Sequence, residues 1–385
     1  MAGPTVHAGV ERVADVGPAM LTAWRALAAD SMEPNPAMDP DLLVRAAETT
    51  LADAELHLAT VEIDGRLEAC LAFRLVHRWH RFVRVGLSAR VDAEAVGVLP
   101  VLGAPLVRAE HAQPAVGALV AALADEAGRV GAGWLIIERL NHGGEIARLL
   151  EGSCRAARLA VHPYDFWERP VLRRRSAVDG WAAGLSPQRL RDNAKKGRRL
   201  ARDAGGPVRV FDRGREASAV EAFLALEASG WKGAEGTALA QRPDQADLFR
   251  RSATTLGALG RSHLLSLEAA GSPVAMGWAV RSGTGLYFMR IAHDERFARS
   301  SPGGQLEVAM AEFFHQQTDA AFLDPCSEPS SAYHVHFLPD RQAVVSLLVG
   351  MGGWRDRALI RLLPAATRLR QRLLGDPGRL RAPPA

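Results

Sequence analysis

Apolar and polar positions alternate along ELHLATVEIDGRLEACLAFRL (55–75), and the alternation is broken once, at Asp64-Gly65. Period-two alternation marks a half-buried strand, and Asp-Gly is a preferred two-residue turn, so the segment predicts a β-hairpin. SHLLSLEAAGSPVAMGWAV (262–280) has the same design. Setting Gly65 on Gly271, an offset of 206, brings Leu58 onto Leu264, Glu62 onto Glu268 and Ala69 onto Ala275. A helical stretch with a tryptophan precedes each hairpin: LTAWRALAADS (21–31) and AVEAFLALEASGWKG (219–233). A longer helical run and a short apolar strand follow each. In the first half these are QPAVGALVAALADEAGRVGA (113–132) and WLIIERL (134–140). In the second they are GGQLEVAMAEFFHQQTDA (303–320) and AFLDP (321–325), at an offset near 188. One matching hairpin carries little weight. An ordered series repeated predicts an internal duplication of an α/β unit, with mixed, mostly antiparallel sheets covered by helices.

Between the halves, DFWERPVL (165–172) reads as the last strand of the first domain. Ser186-Pro187 is a helix start, with Ser as N-cap and Pro at the first helical position, and Gly205-Gly206 is a helix stop. The expected division is 1–175, 176–350 and a basic extension over 351–385. The 385 residues suit two domains, and a hydrophobic share of 48% supplies cores and excludes a disordered chain.

Cys70, Cys154 and Cys326 are far apart and odd in number, which predicts a reducing compartment; no CxxC pair offers a thiolate zinc site. MAGPTVHAGVERVADVGP lacks the basic-then-apolar plan of a secretory signal, and no 18-residue apolar run suggests a membrane span, so a cytoplasmic protein is expected. The net charge of +4 is unevenly spread. RLRDNAKKGRRLAR (189–202) holds seven cations and one acid, and the chain after Trp354 is rich in arginine. Leu190, Ala194, Gly197 and Ala201 form a stripe that packs the helix, leaving the cations as a solvated face, an anionic-acceptor contact or a nucleic-acid contact. No aromatics interleave them, which weighs against nucleic acid. PAATRLRQRLL (364–374) is short, amphipathic and basic, suited to packing or to weak contact with a membrane surface.

The series LSPQRLRDNAKKGRRLARDAGGPVRV, LEASGWKG, hairpin, HDERFARSSPGGQL and a strand ending in aspartate resembles a family. It is similar to the GNAT-superfamily acetyltransferases of the CelD/BcsL type, linked to cellulose and other exopolysaccharide biosynthesis. These are related in fold to the doubled GNAT folds of the Fem-type aminoacyltransferases. The resemblance is strongest over 176–325 and weaker over 15–170. It implies two tandem GNAT domains with acetyl-CoA or another acyl-CoA as co-substrate and no metal. In relatives a Tyr-Lys pair follows the terminal strand; here Tyr333 is followed by His334.

Acyl transfer from coenzyme A needs a cradle for pyrophosphate, a donor to the developing oxyanion and a route for the proton. FARSSPGGQLEVAM (297–310) supplies a cradle of the expected kind. A helix N-terminus favours phosphate, Gly303 and Gly304 permit close approach, and Arg299, Ser301 and Gln305 complete the set. The same Pro-Gly-Gly also serves as a plain turn before a helix. The oxyanion donor is expected among backbone N–H groups of the strand Leu286–Ala292. Asp324, Tyr333 and His334 are the proton-transfer candidates, with Tyr333 where the GNAT arrangement implies a tyrosine that protonates the leaving thiolate. Asp324 is equally a turn cap before Pro325, and Tyr333 a packed aromatic. His334 and His336 would share a strand face near Cys326, yet a zinc site lacks a third ligand. Trp231 and Lys232 are candidates for the acceptor cleft, or a core tryptophan and a surface lysine. The N-terminal counterpart of the cradle, VRAEHAQPAVGAL (107–119), has Pro114 and no glycine pair, so one CoA site per chain is expected.

The leading expectation is direct transfer of an acyl group, acetyl first, to an amine or hydroxyl of a small or a glycan- or lipid-linked cell-envelope acceptor. Fem-like aminoacyl transfer from tRNA and a non-catalytic GNAT-like scaffold are the alternatives. The sequence leaves the oligomeric state open.

Overall fold

The computed structural model describes residues 3–51, 56–76, 86–89, 98, 100, 102–176, 180–327 and 337–362. By contacts the chain forms two compact units. The first comprises 1–95, 101–168 and 343–385; the second comprises 96–100 and 169–342. The expected boundary at 175 thus lies at 168/169. The chain from Ala343 groups with the first unit, where a C-terminal part of the second domain and an extension were expected.

The first unit runs β1 (Val6–Arg12), α1 (Pro18–Ala29), α2 (Pro40–Glu48), β2 (His57–Ile63), β3 (Arg66–Val76), β4 (Gly86–Ser88) and β5 (Leu106–Val107). It continues with α3 (Ala112–Val130), β6 (Trp134–Asn141), α4 (Glu145–Ala156) and the start of β7 (Ala160–Arg173). Its sheet has the order β1-β2-β3-β4-β6, with β4 and β6 parallel and the other pairs antiparallel. Most of β13 (Asp340–Gly350) adds antiparallel to β6, and β5 adds to β3. Trp24, fully buried, donates its indole N–H to the Met38 carbonyl at 3.0 Å, which ties α1 to the segment before α2.

The second unit continues from the end of β7 through α5 (Pro187–Asp203), β8 (Val208–Asp212), α6 (Ala217–Ser229), α7 (Trp231–Ala234) and α8 (Pro243–Ala258). The hairpin β9 (Ser262–Ala269) and β10 (Ser272–Ser282) leads into β11 (Gly285–His293), α9 (Pro302–Gln317) and β12 (Phe322–Asp324). The strand order is β7-β12-β11-β10-β9-β8, parallel only between β11 and β12. Leu265, Leu267, Phe288, Leu306, Met310 and Phe314 form the core beneath α9, and Leu200 of α5 joins them.

The duplication expected from the sequence extends to irregular details. Both hairpins turn through two residues of positive φ, Asp64 and Gly65 (51° and 77°) and Ala270 and Gly271 (49° and 79°), the geometry of a type I′ turn. Both carry a bulge: the register steps over Glu68 in β3 and over Val274 in β10, again 206 residues apart. The units differ after the hairpin. β11 is continuous, whereas its counterpart is split into β4 and β5, which pair with opposite parts of β3.

α5 begins as expected: the Ser186 hydroxyl accepts the Arg189 N–H at 3.2 Å, Pro187 stands at the start, and Gly205 (φ 78°) follows the end. Of the expected stripe, Leu190, Gly197 and Ala201 are half-buried. Asn193 and Leu200 are the buried residues, Gly197 is half-buried between them, and Ala194 is exposed. Asn193 is tolerated inside because it accepts from the Gln305 side chain. Among the described residues no helix is long and apolar enough to cross a membrane; the expected segment 364–374 lies outside them, and 354–362 is helical.

Candidate active site

β11 and β12 pair only from Gly285–Tyr287 to Phe322–Asp324. β11 then continues to His293 while the chain after β12 turns off at Pro325. A bulge at Met289 bends β11 where the pairing ceases: Phe288 faces Ala279 and Arg290 faces Trp278, with Met289 left over. The two strands therefore diverge, and a cleft of about 280 Å³ opens there. Phe288, Met289, Arg290 and Ile291 form one wall, Pro325 another, and Trp231, Lys232 and Thr237 close it.

Two glycines shape these walls. A Cβ on Gly277 would stand 2.5 Å from the Phe288 ring, so the bare backbone of β10 seats that ring. A Cβ on Gly233 would strike the Ala228 carbonyl, so the tight step from α6 into α7 requires glycine. That step projects Trp231, 51% exposed, and folds Lys232 inward.

Lys232 donates to Glu227 at 2.8 Å and to the Ile291 carbonyl at 2.9 Å. At Ile291 a side chain thus meets the peptide edge of β11. Arg290 reaches the same Glu227 oxygen through Nη2 at 2.6 Å and Nε at 3.2 Å, and the Leu239 N–H donates to the other oxygen at 2.8 Å. Burial pushes the Glu227 carboxyl upward, but Arg290 and Lys232 outweigh it and hold the group below its ordinary range. Burial, aided by Arg290, lowers the Lys232 ammonium against the pull of Glu227. His293, at the end of β11, is lowered by burial although Glu295 lies 3.3 Å away. Glu227, Arg290 and His293 were not singled out from the sequence. Glu227 stands five residues before Lys232, a spacing that signals nothing until α7 folds back.

Among the sequence candidates that lie in the described residues, the fold brings Trp231 and Lys232 together in the cleft. The cradle candidates sit elsewhere in the same unit. Ser301 has left-handed geometry (φ 50°, ψ 59°) and Pro302 starts α9. Gly303 and Gly304 are buried, and a Cβ on Gly304 would meet the Ser301 hydroxyl at 2.9 Å and the Phe337 ring at 3.5 Å. Protein atoms thus occupy the space a side chain on residue 304 would need. Gln305 donates to the Asn193 carbonyl (2.9 Å) and side chain (2.8 Å), so it joins α5 to α9. Arg299 is exposed on the 3-10 turn before α9.

Asp324 is buried. It pairs with buried Arg169 at 2.6 Å and accepts the Cys326 N–H at 2.8 Å. Burial disfavours the Arg169 cation, and Asp324 more than compensates. The geometry makes Asp324 a tie between β7 and β12 and the cap of the turn that follows. Tyr333, His334 and His336 lie outside the described residues. Among those described, no cluster of three or more His, Cys, Asp or Glu could hold a metal.

Residues 188–324 match the family described as Acetyltransferase (GNAT) domain. The match lies within the second unit. No curated protein matches the chain. Three solved structures share its fold over most of its length. FemX is similar at 9% identity with a TM-score of 0.56, covering 86% of this chain and 95% of its own. A conserved protein of unknown function from Bacteroides thetaiotaomicron VPI-5482 gives 10% identity and 0.55, covering 88% and 98%. The C-terminal domain of a putative lysylphosphatidylglycerol synthetase from Agrobacterium fabrum gives 13% and 0.52, covering 91% and 96%. The chain thus has the fold of two GNAT-like units in tandem.

Proposed function

We propose that the chain transfers an acyl group, acetyl first, from acyl-CoA to an amine or hydroxyl of a small or cell-envelope-related acceptor. The observation that carries this reading is the end of the β11–β12 pairing at Tyr287 and Asp324, next to a bulge at Met289, with a cleft of about 280 Å³ lined by the Phe288–Ile291 segment. There the thioester lies along the strand, with its carbonyl oxygen toward backbone N–H groups of the Phe288–Ile291 segment. Fixed donors at that oxygen stabilise the charge that develops as the acceptor attacks. The new C–N or C–O bond forms, the C–S bond breaks, and the acceptor's proton ends on the leaving thiolate. His293, lowered by burial and therefore neutral near pH 7, is the nearby group suited to take that proton. Glu227 is saturated by its four donors and holds the walls in place. Titration of the purified protein with acetyl-CoA, followed by assay of thiol release with added amines, tests the reading.

A second reading is aminoacyl transfer from tRNA. Its supporting observation is α5, whose seven cations stand on a helix with only Asn193 and Leu200 buried. FemX and the lysylphosphatidylglycerol synthetase domain share the fold. RNA retained through purification and released by salt supports this reading; ready acetyl-CoA binding without retained RNA dismisses it.

A further inference from the structure

We propose that Lys232 is a positioning residue for the transfer. By occupying the Ile291 carbonyl, it leaves the Ile291 N–H as the group that this edge of β11 offers to the thioester oxygen. The inference rests on the acyl-transfer reading above and names the parts of the cleft that serve it. Strand alternation carries it. Along an antiparallel pair, one residue turns both its N–H and its C=O toward the partner strand, and the next turns both away. The Asp294 N–H donates to the Val274 carbonyl of β10 at 2.9 Å. In the same register Met276 faces Ala292, and Gly277 faces Ile291. Asp294 and Ala292 therefore turn their peptide groups toward β10. Ile291 turns both of its own away from β10, and Ile291 lines the cleft.

Lys232 confirms that direction, since its ammonium takes the Ile291 carbonyl at 2.9 Å from the side of α7. The buried Glu227 holds the same ammonium at 2.8 Å, which fixes it in place. Among the described residues the Ile291 N–H has no protein partner, and β12 pairs with β11 only over Gly285–Tyr287. An uncovered carbonyl beside that N–H would set a partial negative charge near the oxygen on which charge develops. It would also leave the peptide free to tilt. Lys232 removes both effects, so the edge at Ile291 presents a donor already aimed before the acyl group arrives. A compact ammonium on a long stem suits this reach from α7 to β11.

The test reads the contact from both sides in the full-length protein. Labelling isoleucine with nitrogen-15 gives six backbone amide signals, and Ile291→Val assigns the one of interest. Acetyl-CoA is expected to move the Ile291 amide proton downfield, and CoA without the acetyl group to leave it in place. Infrared difference spectra of acetyl-CoA, carbon-13 labelled at the thioester carbonyl, follow the ligand at saturation. Lys232→Met is expected to raise the frequency of the bound carbonyl band above that in the parent. Lys232→Arg keeps a cationic donor and is expected to recover most of the difference. A lysine that only stabilised the fold would lower stability in Lys232→Met without moving the band. The isoleucine measurement uses the parent alone, so it decides even where a substituted protein fails to fold. An Ile291 amide unmoved by bound acetyl-CoA, or the same band frequency in the parent and Lys232→Met, overturns this inference and leaves the acyl-transfer reading standing. Absence of acetyl-CoA binding by the parent removes that reading, and the inference with it.

Discussion

Two buried carboxylates set the behaviour of the second unit at the scale of single residues. Asp324→Asn strips Arg169 of its partner in the interior, at a cost of about 3–5 kcal/mol. Denaturant unfolding reads that loss, and a variant as stable as the parent contradicts the structural role given to Asp324. Glu227→Gln leaves two cations facing each other and is expected to cost a similar amount. Glu227 also makes a pH prediction. Its folded pKa lies below the ordinary 4.5, so the unfolded chain takes up the proton first. The stability it contributes is present above the ordinary value and is lost as pH falls through the folded value. Acid unfolding curves of Glu227→Gln are therefore flatter in that range than those of the parent; parallel curves count against the assignment. Trp231 and Lys232 were legible in the sequence because Trp-Lys-Gly closes a helix. Glu227 and Arg290 were not, since only the fold brings an α6 carboxylate onto a β11 guanidinium. Gln305 read as a donor contact because sequence places it beside two glycines. It turns out to join α5 to α9.

At the scale of elements, the hairpins and helix ends follow from local chemistry and were readable in advance. The bulge at Met289 was not: it is a mismatch between two strands, and neither strand signals it alone. Asn193 was missed on the α5 stripe because a rule of apolar periodicity passes over an asparagine, whose burial here depends on Gln305. Two substitutions test the local arguments. Ala270 occupies a left-handed turn position that asparagine tolerates better, so Ala270→Asn is expected to add about 0.5–1 kcal/mol of stability. A lowered melting temperature contradicts the turn assignment. Gly233→Ala forces a methyl group against the Ala228 carbonyl and is expected to cost about 1–3 kcal/mol as α7 shifts. Tryptophan fluorescence should change with it, because Trp231 rides on that step.

At the scale of the whole molecule, shared type I′ turns and bulges at one offset make the duplication physical as well as statistical. The same comparison explains an asymmetry. In the second unit, β11 is unbroken, and among the described residues β12 pairs with it only over Gly285–Tyr287. In the first, the equivalent strand is cut into β4 and β5. Its bulge residue is Glu68, a buried carboxylate 3.5 Å from His111 at the N-cap of α3. A negative group already placed beside that helix start opposes a phosphate there. In the sequence the missing glycine pair carries the expectation of one CoA site per chain; these features of the structure are added grounds for the same expectation. The structure also gives the chain from Ala343 to the first unit, an assignment no local signal announces. Acetyl-CoA titrated calorimetrically into the intact protein is the most direct test of the whole account. One site per chain is the predicted result; no binding of acetyl-CoA or longer acyl-CoAs by the folded protein, or two sites per chain, would contradict it.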